Sequence, residues 1–94
     1  MYFKKRHLYN GYTFNELNDK FIKSTKLKLL KTDSEFWRSY YKSDESNWIA
    51  FYPFSEYHGG GQPYIIMIRN DEHDDWIDNN PNFESEIRKL IEKQ

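Results

Sequence analysis

Asp71-Glu72-His73-Asp74-Asp75-Trp76-Ile77-Asp78 gathers five carboxylates and one imidazole into eight residues, the densest group of ionisable side chains in the chain. Carboxylates with an imidazole suit a hard divalent cation. The spacing, however, is not the Asp-x-Asp-x-Asp-Gly form of a calcium loop, and the glycine that permits its turn is missing. No cofactor or metal is expected. Instead the run reads as an acidic loop, with Trp76 and Ile77 as apolar anchors among charges, the composition of an interface hot spot. The carboxylates lie too close together to neutralise one another, and the nearest following base is Arg88. Folding gains little from such clustering, so a basic partner is expected to supply the compensation.

His58-Gly59-Gly60-Gly61 has the form of the oxyanion loop of lipases and esterases. That chemistry also needs a Gly-x-Ser-x-Gly elbow on a wide sheet, and the elbow is absent. A phosphate-binding loop would lead into a helix N-terminus, whereas Gln62-Pro63 lead into a strand-like run. The glycines therefore read as a hairpin tip, with Tyr57 and His58 beside it as further partner contacts. The three histidines, His7, His58 and His73, fall in three different segments. A small His-dependent ribonuclease or hydrolase would need two of them, or one and a carboxylate, to converge. With no cysteine there is no thiol nucleophile, disulfide or Cys-based zinc site.

The elements holding these residues must come from 94 residues, one small domain spanning 1–94 with a thin core. Aromatics make 19% of the chain and compensate for scarce aliphatics. Mean hydropathy is −1.04, and no apolar run approaches the ~18 residues a spanning helix needs, so no membrane partner is expected. Met1-Tyr-Phe-Lys-Lys-Arg-His is charged with no apolar stretch behind it, which gives a cytoplasmic protein as the expectation.

Met1 to Tyr9 can form a strand that ends at the turn pair Asn10-Gly11. Thr13 with Glu16 has the capping-box form, and Phe14, Leu17 and Phe21 recur at helical spacing, so a helix is expected over 14–24. Lys26 to Leu29 alternates like a strand. Residues 35–42 fit helix or strand by spacing; the polar turn 43–46 and the run from Asn47 to Tyr52 favour a hairpin. Tyr64 to Ile68, apolar on both faces, reads as the central strand. Asn80 and Pro81 open a last helix with Phe83, Ile87, Leu90 and Ile91 on one stripe. The expected fold is α+β: an antiparallel sheet of about four strands with an N-terminal and a C-terminal helix.

Charge is segregated. Residues 1–31 hold eight bases against Glu16 and Asp19, and the remainder holds six bases against thirteen acids. The expected function is a non-catalytic inhibitor of the immunity-protein, antitoxin or phage counter-defence type, blocking a basic nuclease or defence protein. Its partner-binding residues would be Asp71, Glu72, Asp74, Asp75, Trp76, Asp78, Tyr57 and His58. A nucleic-acid-binding module using the basic N-terminal third is the alternative, disfavoured by a pI near 6.3. An uncovered aromatic sheet face would also permit a homodimer.

Overall fold

The structure is a computed structural model and describes residues 7–54 and 61–93. Its first two strands, β1 (His7–Tyr9) and β2 (Tyr12–Glu16), pair through Asn10-Gly11. Both turn residues have left-handed φ, 49° and 82°, as a mirror-image two-residue hairpin turn requires. The helix expected over 14–24 thus has strand in its first three residues, 14–16. Tyr12 to Glu16 alternates as well as it matches a capping box, and pairing decides between them: Phe14 lies opposite Ile66 and is fully buried. Helix α1 (Asp19–Thr25) starts only at Asn18, whose side-chain oxygen accepts the Phe21 N–H at 2.8 Å. Lys26 closes it in the left-handed region, so the strand expected from Lys26 begins two residues later.

Four more strands follow: β3 (Lys28–Asp33), β4 (Arg38–Lys42), β5 (Asn47–Phe51) and β6 (Tyr64–Arg69). Helices α2 (His73–Asn79) and α3 (Phe83–Glu92) complete the described chain. The sheet is antiparallel, in the order β1-β2-β6-β5-β4-β3. The class is α+β as expected, with six strands and three helices in place of about four and two. The differences come from β2, where a helix was expected to begin, and from α2, where a loop was expected.

Alternation along the strands divides the core. On one face Phe14, Ile49, Phe51, Tyr64, Ile66 and Ile68 meet Trp76 of α2 and Phe83 and Ile87 of α3. Leu90 and Ile91 pack partly buried at the margin, so the stripe expected on the last helix is the one it buries. Its start lies two residues later than expected, at Asn82, because Asn80 instead ends α2 and donates its side-chain amide to the Trp76 carbonyl. On the other face Trp48, Ala50 and Ile65 pack with Leu17, Phe21 and Leu27 from around α1. Among the described residues no helix is long and apolar enough to cross a membrane.

Candidate interaction surface

The acidic segment is a helix. Glu72 caps it, its two carboxylate oxygens accepting the Asp74 and Asp75 N–H groups at 3.1 Å each. Asp74 and Asp75 occupy the first turn, where the positive end of the helix dipole favours anions. Asp74 also accepts the Tyr40 hydroxyl at 2.8 Å, and Asp71 accepts that of Tyr12 at 3.1 Å. The expectation that folding gains little from these carboxylates is therefore corrected for three of them: Glu72 caps α2, and Asp74 and Asp71 tie the helix and its approach to the sheet. Asp75 and Asp78 are exposed.

Trp76 corrects a second expectation. It is 1% exposed and meets Tyr12 and Phe83 edge-on, with ring centroids 5.5 and 5.1 Å away. Its place is in the core, where no partner reaches it. His73, also buried, stacks parallel on Tyr40 at 4.8 Å, and its Nε2 lies 3.1 Å from the Tyr41 carbonyl, an arrangement that places a proton on Nε2. The helical spacing His73, Trp76, Ile77 is the signal that the charge run conceals. Tyr57 and His58 lie outside the described residues. Among the described residues no group of three or more His, Asp or Glu converges as metal ligands.

Two tyrosines link the helices to the sheet. The Tyr9 hydroxyl donates to Glu86; burial, then the Glu86 bond and charge, push its pKa up to about 12. Burial and then Asp74 push that of Tyr40 above the usual tyrosine range. Each phenol is held neutral as a donor to a carboxylate, which is structural work.

The β3–β4 hairpin behaves differently. Five large apolar side chains stand more than half exposed among the described residues, and four of them are here: Leu29 and Leu30 on β3, Phe36 and Trp37 in the connecting turn. Asp33 builds that turn by accepting the N–H groups of Glu35 and Phe36 at 3.0 and 3.4 Å. Trp37 closes it at φ 57°, a position glycine or asparagine takes without difficulty and a bulky residue rarely occupies. From there its ring meets Tyr52 at 5.8 Å and 88°. Phe36, Trp37, Tyr52, Pro53, Glu84 and Arg88 line an open groove of about 530 Å³ between the turn and α3.

Arg38 anchors the tip. Its guanidinium makes a two-pronged pair with Glu84, at 2.7 and 3.3 Å, and lies between the rings of Phe36 (4.9 Å) and Phe83 (5.3 Å). The hairpin is thus fixed to α3 while its apolar groups face outward. The aromatic pair inside an otherwise polar turn, Ser34-Glu35-Phe36-Trp37, is the one sign of this in the sequence. No family model matches the chain, and comparison with curated proteins and with solved structures finds no match either.

Proposed function

We propose that the protein is a small non-catalytic binding protein that docks another protein through its β3–β4 hairpin. The observation that carries this reading is the concentration of Leu29, Leu30, Phe36 and Trp37, exposed together on one hairpin of a chain otherwise short of aliphatics. Large apolar side chains displayed on one element, with the aromatic pair Phe36 and Trp37 at its tip, are the kind of surface that marks interaction sites. Trp37 adds a second support: a strained backbone costs about 1–3 kcal/mol and persists where the side chain it presents has a use. A blocking inhibitor of the immunity, antitoxin or counter-defence kind would use such a rigid, presented tip to enter a partner's cleft. The acidic face of α2 then serves the fold first, with Asp75 and Asp78 left to steer association.

Affinity capture from the native host tests this with three proteins: wild type, Trp37→Ala with Phe36→Ala, and Asp75→Asn with Asp78→Asn. The expected result is a protein captured in 1:1 ratio by wild type and the α2 variant, and lost with the tip variant, since a central aromatic anchor carries about 2 kcal/mol or more. Capture that survives the tip change and fails with the α2 change moves the site to α2. Nucleic acid in place of protein would support the module built on Lys20, Lys23, Lys26, Lys28 and Lys31, all exposed on α1, its C-cap and β3.

A further inference from the structure

Among the described residues the strand order leaves β3 at an edge of the sheet, paired with β4 on one side and with no described strand on the other. Lys28 to Thr32 are all exposed, so a row of outward N–H and C=O groups meets solvent. We propose that β3 accepts an acidic, extended segment of the partner as a seventh strand. This rests on the protein-binding reading above and names the chemistry of its partner.

The edge is long enough. Six residues span roughly 20 Å, the length of an ordinary strand. Such strand addition takes affinity from main-chain hydrogen bonds and specificity from alternate side chains. Here Leu29 and Leu30 supply the apolar part, each more than half exposed.

Charge selects the occupant. Lys28 and Lys31 stand on the edge strand, Lys26 precedes it at the C-cap of α1, and Lys42 lies opposite Lys28 on β4. Asp33 is the one acid on β3, and its carboxylate is engaged by the turn N–H groups. Lysines on an edge disfavour pairing with a second lysine-bearing copy, and the same lysines favour a strand with glutamates or aspartates at alternate positions. The register shift between Leu29 and Lys31 works in the same direction, because a bulge twists the edge away from flat copy-on-copy growth.

The probe is a fluorescein-labelled ten-residue peptide of alternating glutamate and valine, titrated into the full chain by anisotropy. Controls are the same peptide N-methylated at alternate amides, a lysine-for-glutamate peptide, and a single-stranded oligonucleotide. Binding is expected below about 1 mM, with N-methylation or Lys28→Glu plus Lys31→Glu weakening it at least about ten-fold. The lysine peptide is expected to bind the reversed-charge variant in preference to wild type, which shows that this variant is folded. Amide exchange of β3 is expected to slow when peptide is present. Equal binding of the N-methylated peptide, tighter binding of the oligonucleotide, no binding up to about 1 mM, or β3 amides protected by dimerisation without peptide would each overturn the proposal. Host-protein capture that depends on Trp37 but ignores the lysine reversals would leave the docking reading standing while strand addition fails.

Discussion

Helix α2 and the β3–β4 hairpin both combine aromatic with charged side chains, and they use them in opposite directions. In α2 the tryptophan is inside the core, the histidine is buried and stacked on Tyr40 of the sheet, Glu72 caps the helix and Asp74 holds a tyrosine. In the hairpin the tryptophan and phenylalanine are outside, the lysines face solvent, and the one strong ion pair serves to hold the tip in place. Identical chemistry therefore stabilises in one place and is displayed in the other. What separates them is position in the sheet: α2 covers the central strands β5 and β6, whereas the hairpin forms an edge.

The largest expected contrast is between the two tryptophans. Trp76→Ala removes a fully buried ring and should cost about 3–5 kcal/mol, enough to unfold a marginal domain of this size at room temperature. Trp37→Ala should change stability by less than about 1 kcal/mol, because an exposed ring leaves no cavity. Urea titrations of both variants check this. Comparable losses would mean that the hairpin tip is part of the core and that the contrast between the regions is false.

A second difference lies at high pH. Tyr9 and Tyr40 both titrate higher folded than unfolded, so both help stability in full below about pH 10, where either state is protonated. Between pH 10 and 12 the unfolded chain releases these protons while the folded chain keeps them. Stability should then fall by about 1.4 kcal/mol per pH unit for each tyrosine. Tyr9→Phe should flatten its share of that decline, and removing a side chain of the hairpin tip should leave the pH profile unchanged. A Tyr9→Phe profile as steep as wild type would show that the Glu86 link does not hold the phenol neutral.

Much of the fold was legible because local chemistry and tertiary packing agree. Asn10-Gly11 permits one kind of hairpin turn, Tyr64 to Ile68 is apolar on both faces because helices cover both, and Phe83, Ile87, Leu90 and Ile91 repeat at helical spacing. Residues 13–16 were misread because a capping box and a strand alternation coincide there, and only pairing with β1 and β6 chooses between them. The candidate site was less legible. A charge run in sequence looks available for a partner, yet Tyr12 and Tyr40, 59 and 34 residues away, take up two of its carboxylates. At Trp37 the difficulty is the reverse: the backbone needs a left-handed residue where the sequence has tryptophan, so the usual turn signal is absent.

Within the acidic helix the carboxylates should separate by role. Glu72→Ala removes the cap from two N–H groups and should cost about 1 kcal/mol. Asp78→Asn, at an exposed position, should cost less than about 0.5 kcal/mol. Thermal melts of the two variants give the order. Equal and negligible shifts would return the whole cluster to the status of a free acidic surface, and would weaken the case for placing the interface on the hairpin.

The most discriminating change pairs a small effect on the fold with a large one on binding. Trp37→Gly relieves a left-handed backbone that costs a non-glycine residue about 1–2 kcal/mol. It gives up the edge contact with Tyr52, worth about 0.5–1.5 kcal/mol, and adds roughly 0.5–1 kcal/mol of unfolded-state freedom. These terms nearly cancel, so stability should stay within about 1 kcal/mol of wild type. Partner capture, by contrast, should be lost, since glycine keeps the turn and removes the side chain the turn presents. A residue kept for folding would behave the other way, with binding lost only in step with the melt. Trp37→Gly that unfolds the protein assigns the tryptophan to the core, and Trp37→Gly that still captures the partner leaves the strained turn without a use in docking.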